Sequence, residues 1–186
     1  EDRWDEIYPS ITALSEAVGD DIPDVLVWFV DDIAEENGAL SADAVHERVH
    51  LVLAAVRSWL RLPAAVNTAL VIVTRKGVGL PGEGPDLAAA ATWGLVRSAQ
   101  SEHPGRLVLV DVDTADDVTP RLISAALATG EAQLAVRAGV LSSPRLVRRD
   151  VSATGSGIGF GSGAVLITGG TGGLGALVAR DLAGTH

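Results

Sequence analysis

Four short runs of valine and leucine set the strongest limit on what this chain can fold into. They are Asp24–Val30 (DVLVWFV), Thr68–Thr74 (TALVIVT), Arg106–Val112 (RLVLVDV) and Ala132–Gly139 (AQLAVRAG). All are short, and three are apolar almost throughout instead of alternating. Strands of that kind are buried on both faces, as in a parallel sheet. Parallel neighbours need long crossovers, and the segments between the runs carry helical patterning. Ser41 predicts an N-cap for a helix over about 42–60, in which Val45, Val49, Val52, Val56 and Leu60 form one apolar stripe. A second helix is expected over 85–102, stopped by His103-Pro104-Gly105. A third is expected from Asp116 or Asp117 to Ala128, closed by Gly130 as a left-handed cap. The expected fold class is α/β: a doubly wound parallel sheet with right-handed crossovers.

Ser152–Gly163 (SATGSGIGFGSG) breaks this rhythm, and its glycines and serines read as a flexible linker. Beyond it AVLIT (164–168) reads as a new strand and LGALVARDLA (174–183) as a new helix. The expected organisation is a first domain over 1–151, a linker over 152–163, and the start of a second domain over 164–186. Between that strand and helix, Gly170, Gly172 and Gly175 carry the G-x-G-x-x-G spacing of a dinucleotide loop. Glycines there permit the tight turn, the approach of backbone to a pyrophosphate, and close helix–strand packing. The helix N-terminus adds free N–H groups and a partial positive charge. Thr168, Gly169, Gly170, Thr171, Gly172, Gly173, Leu174 and Gly175 are therefore the candidate cofactor-binding residues.

Other features carry less chemistry. Gly77–Gly82 (GVGLPG) repeats the same pattern, but Pro81 and Gly84-Pro85-Asp86 separate it from the next helix. Glu83 and Asp86 also put negative charge where phosphates would lie, so it reads as a surface loop. His46-Glu47-Arg48-Val49-His50 is a literal H-E-x-x-H, which on a helix sets two imidazoles one turn apart, as zinc metalloproteases require. Arg57 on their side opposes a metal, and neither His103 nor His186 suggests a third ligand, so a solvated helix face is expected and no metal site. Asp31, Asp32, Glu35 and Glu36 follow the first strand, where an open α/β sheet would bind its ligand. Carboxylates there would repel a pyrophosphate, which points to a structural first domain. Zero cysteines exclude disulfides and thiolate catalysis, and fit a cytoplasmic protein. A net charge of −10 disfavours nucleic acid and anionic membranes, and no apolar run is long enough to span a bilayer.

Gly84–Asp113 (GPDLAAAATWGLVRSAQSEHPGRLVLVDVD), with ALVIVTRKGV before it and EAQLAVRAGVLSSPRLVR after it, resembles the structural subdomain of the ketoreductase of modular type I polyketide synthases. VLITGGTGGLGALVARDLA resembles the opening of that family's catalytic subdomain, and Gly169–Gly175 matches the G-G-x-G-x-x-G form of complex short-chain dehydrogenase/reductases. The resemblance covers nearly the whole chain. It implies a truncated Rossmann-like structural subdomain followed by the first β-α unit of a second Rossmann domain. That second domain would bind NADPH and reduce a β-ketoacyl thioester, held on the phosphopantetheine of an acyl carrier protein, to the β-hydroxyacyl thioester. Other domains of the same module are implied partners, including, in some modules, an enoylreductase inserted at the linker. The family's catalytic Tyr, Asn, Ser and Lys lie downstream of the glycine loop. Tyr8 and Lys76, the only tyrosine and lysine, match none of them, so no catalytic residue is assigned. The 186 residues alone are expected to be structural and inactive. The alternative is a non-catalytic scaffold within a synthase module.

Overall fold

A computed structural model describes residues 11, 13, 16, 22–30, 41–114, 118–148 and 163–185. The chain divides into two compact units, Glu1–Arg145 and Leu146–His186. In the first, five strands form one sheet in the order β1-β2-β3-β4-β5. They are β1 (Val25–Phe29), β2 (Ala69–Arg75), β3 (Leu107–Val112), β4 (Gln133–Arg137) and β5 (Val140–Ser142). The first four run parallel, with Val25 opposite Ala69, Leu70 opposite Leu107 and Leu109 opposite Gln133. The helices are α1 (Ala42–Arg61), α2 (Leu87–Glu102) and α3 (Pro120–Ala128), with a 3-10 turn at Pro63–Asn67. This is a Rossmann-like α/β sheet with helices on both faces.

The near-continuous apolar strands explain the layering. In β2 and β3, Leu70, Ile72, Leu107 and Leu109 point to one face, where Val52, Val56 and Trp59 of α1 and Trp93 and Val96 of α2 cover them. Val71, Val73, Val108, Val110 and Val112 point to the other face, packed with Leu134 and Val136 and with Ile123 and Ala126 of α3. Fully burying a residue of this kind stabilises by about 1.5–3 kcal/mol, so the two layers together supply the main folding drive. Crossovers through α1 and α2 pass over the first face and the crossover through α3 over the second, while the strands step in one direction throughout. Crossovers on opposite faces of strands that step the same way have opposite hands. The expected uniform right-handedness therefore fails once. The strong right-handed preference makes β3–α3–β4 the exception.

Local chemistry sets the helix ends. Ser41 caps α1, its hydroxyl accepting from the Ala44 N–H at 3.0 Å. Asp86 caps α2 through the Ala89 N–H at 2.7 Å, so α2 begins after Pro85 instead of at it. Thr119 caps α3 through the Leu122 N–H at 3.1 Å, with Pro120 at the first helical position. That cap and proline place the start of α3 later than Asp116 or Asp117, which with residue 115 lie outside the described residues. The fourth predicted strand is shorter than expected because Ala138 (φ 47°) and Gly139 (φ 76°) make a two-residue turn into antiparallel β5. In α1 the buried side chains are Arg48, Val52, Val56 and Trp59, which rotates the predicted stripe by about one position.

In the second unit, Gly173–Thr185 forms α4. AVLIT departs from its predicted strand: among the described residues, 164–167 pair with no strand, and Leu166 is 90% exposed. A strand needs a hydrogen-bonded neighbour, and the apolar pattern alone does not supply one. The predicted linker, apart from Gly163, lies outside the described residues, as do Asp31, Asp32, Glu35 and Glu36. Among the described residues, no helix is long and apolar enough to cross a membrane.

Candidate functional site

The glycine loop of the second unit is a tight turn running into a helix. The Gly172 N–H donates to the Gly169 carbonyl at 2.9 Å, and Gly169 adopts φ 69°, a conformation that favours glycine. The Ala176 N–H donates to the Gly172 carbonyl at 2.8 Å, making Gly172 the residue from which α4 starts. The first N–H groups of α4, from Gly173 to Gly175, thus have no acceptor within the helix. Added Cβ atoms show what the glycines permit. At Gly175 a Cβ would collide with the Gly169 carbonyl; at Gly170 it would stand 3.2 Å from the Ile167 carbonyl, and at Gly172 3.3 Å from that of Gly169. At Gly173 it would meet nothing within 4 Å. Thr168, Thr171 and Leu174 complete the loop as exposed residues. The second unit thus presents a turn that requires glycine at Gly175 and favours it at Gly169, ahead of a helix N-terminus whose first N–H groups have no acceptor in the helix.

The first unit has its own cluster at the carboxyl ends of β2, β3 and β4. Asp111, fully buried in β3, accepts from the Thr74 hydroxyl at 2.6 Å and from the Gly77 N–H at 2.6 Å on Oδ1. Its Oδ2 accepts from the Val78 N–H at 3.3 Å and from Arg137 Nη2 at 2.8 Å. Arg137 also pairs with Glu83 at 2.9 Å and Asp113 at 3.2 Å, and donates to the Val78 carbonyl at 2.8 Å. Trp93 Nε1–H donates to the Thr74 oxygen at 2.7 Å, which turns the threonine proton toward Asp111. A Cβ on Gly77 would stand 2.9 Å from the Trp93 ring, so that glycine is required by the closeness of α2. The Gly77–Gly82 loop is therefore packed against a carboxylate of its own chain. Neither Asp111 nor Arg137 is marked as a site residue by its sequence context. The available signal was a lone charge within an apolar strand, but its partner follows only from β3 lying between β2 and β4.

Arg137 sets the ionisation of Glu83. Its hydrogen bond to Glu83 holds that carboxyl below its ordinary value of 4.5, against a smaller opposing effect of burial. For Arg137 itself burial disfavours the charge, but its hydrogen bonds to Glu83 and Asp111 outweigh it and raise the guanidinium's pKa. A carboxyl depressed on folding stabilises the fold above its unfolded pKa, and that contribution is lost as pH falls through the folded value. Thermal midpoints measured from roughly pH 5 to pH 3 should fall more steeply for the unaltered chain than for Glu83→Gln. Parallel curves would show that the Arg137–Glu83 pair does not couple to folding. His46, Glu47, His50 and Arg57 lie on the exposed side of α1.

Together these features define a class: a Rossmann-like α/β domain whose β2–β4 carboxyl ends hold a carboxylate of the same chain, followed by a glycine loop at a helix N-terminus. Residues 2–146 match the family described as polyketide synthase extender module SpnB, Rossmann fold domain. The chain belongs to that family. Polyketide synthase GfsB of Streptomyces halstedii is 43% identical over 182 residues, covering 93% of this chain and 3% of GfsB. The spectinabilin polyketide synthase system protein NorA of Streptomyces orinoci is 44% identical over 170 residues, 89% of this chain and 9% of NorA. Mycoketide-CoA synthase of Mycobacterium tuberculosis is 52% identical over 100 residues, 53% of this chain and 2% of that synthase. The chain therefore spans only a small part of the length of these relatives.

Proposed function

We propose that this chain is the structural subdomain and the opening of the catalytic subdomain of a polyketide synthase ketoreductase, with the boundary between them in 152–163. In this reading Thr168–Gly175 cradles the pyrophosphate of NADPH, whose nicotinamide supplies a hydride to the β-carbon of a β-ketoacyl thioester. The substrate rides on the phosphopantetheine of an acyl carrier protein, and the product is the β-hydroxyacyl thioester. The observation that carries the reading is the glycine turn from Gly169 to Gly172, which ends at the free N–H groups of α4. At Gly172 a side chain would stand between the turn and an approaching phosphate.

The test uses a synthase polypeptide that carries this chain together with a complete catalytic half. It should bind NADPH and reduce a model β-ketothioester, and Gly172→Val should abolish both while leaving the first unit folded. The 186-residue chain alone should show no turnover. Unchanged NADPH affinity in Gly172→Val would remove the loop from cofactor binding. The scaffold alternative draws on the filled ligand end of the first unit, and it predicts neither NADPH binding nor reduction by the longer polypeptide.

A further inference from the structure

Open α/β sheets take ligands outside the carboxyl ends of their strands, and at that end of β2, β3 and β4 four donors converge on one carboxylate. We propose that Thr74, the Gly77 and Val78 N–H groups and Arg137 form an oxyanion site whose occupant is the Asp111 carboxylate. Removing that carboxylate opens the site to a small external one. The inference concerns the first unit alone and stands apart from the glycine loop of the second.

The turn after β2 aims successive N–H groups at one anion. Lys76 adopts φ 53°, and the N–H groups of the two residues after it turn toward one carboxylate. Those of Gly77 and Val78 reach the two oxygens of one carboxylate at 2.6 and 3.3 Å. The Thr74 hydroxyl and Arg137 Nη2 complete a set of four donors, at 2.6 and 2.8 Å. A phosphate or carboxylate ligand would meet the same kinds of donor at such a site.

The donors are held by contacts that do not involve the Asp111 side chain. Trp93 fixes Thr74 at 2.7 Å. The Lys76 N–H donates to the Val112 carbonyl at 3.1 Å, and the Lys76 carbonyl accepts from the Asp86 N–H at 2.7 Å, which anchors the loop at both ends. Glu83, Asp113 and the Val78 carbonyl orient Arg137. The cradle therefore outlasts the loss of its occupant. With Asp111 in place it has no room for an external anion, and Glu83 and Asp113 add repulsion at its rim.

Asp111→Ala tests this, because it deletes the carboxylate alone and formate has the shape and charge of what was removed. Thermal midpoints of the 186-residue chain and of D111A would be followed against formate, with chloride holding ionic strength constant. Formate should raise the D111A midpoint saturably, by about 4 °C at ten times its dissociation constant. It should also shift the Gly77 and Val78 amide resonances of D111A. The unaltered chain and D111N, whose amide still fills the cradle, should not respond. A folded D111A that answers formate no better than chloride overturns the proposal, as does an equal response in the unaltered chain or in D111N. If D111A is unfolded in chloride, formate should restore the folded fraction after dilution from urea; no recovery counts equally against the site.

Discussion

Arg137→Ala should unfold the first unit at about 1.5 M less urea than the unaltered chain, a loss of about 3 kcal/mol at a slope near 2 kcal/mol/M. The size follows from what is left behind. Asp111 is fully buried, and Arg137 brings the only cationic donor among the bonds described for its carboxylate. Removing one partner of such a pair leaves a charge in low dielectric, which costs more than the pair itself contributes. Three neutral donors remain on Asp111, and this keeps the loss toward the lower end of the range for broken buried pairs. Arg137→Lys should fall between the two, because an ammonium cannot reach Asp111, Glu83 and the Val78 carbonyl with one planar fork. The double variant Asp111→Asn/Arg137→Met should lose less than the sum of the single losses, since the stranded charge disappears with its partner. Strict additivity would show that the two side chains contribute independently, without the coupling that a buried pair requires.

This cluster marks the limit of what could be read from the residues alone. The parallel sheet was legible because β2 and β3 are apolar on both faces, and the helix caps at Ser41 and Gly130 were legible because capping is local chemistry. Thr119-Pro120 is a stronger start signal for α3 than Asp116 or Asp117, and the helix follows it. Burial on α1 centres on Arg48, Val52, Val56 and Trp59 because α2 packs beside it, a neighbour the helical period does not reveal. At the candidate site the spacing of Gly170, Gly172 and Gly175 was visible, whereas the positive φ of Gly169 and the collision at Gly175 arise from the turn itself. The Gly77–Gly82 pattern was visible too. Its occupant was not, because Asp111 meets Gly77 only once β2 and β3 are adjacent.

Gly175→Ala should be the most damaging single-atom addition in the glycine loop, and its comparison with Gly173→Ala separates a folding defect from a cofactor defect. The Gly175 Cβ would overlap the Gly169 carbonyl, and Gly169 and Gly170 backbone atoms crowd the same space, so no side-chain adjustment relieves it. Either the turn opens or α4 shifts, and the donors at the helix start lose their aim. On the proposed reading, a shift of that kind in a polypeptide with a complete catalytic half should weaken NADPH binding by about ten- to a hundredfold, as the loss of a hydrogen bond to a charged group does. Gly173→Ala places its Cβ in open space, so the fold should be unaffected. That Cβ nonetheless tilts toward the helix N-terminus, the place a pyrophosphate would take, and NADPH binding should weaken by about tenfold with no change in melting. A purely structural loop gives a different pattern: Gly175→Ala destabilises, while Gly173→Ala changes neither melting nor NADPH affinity. Titrating both variants with NADPH and melting each one decides between a phosphate cradle and a turn that merely starts a helix.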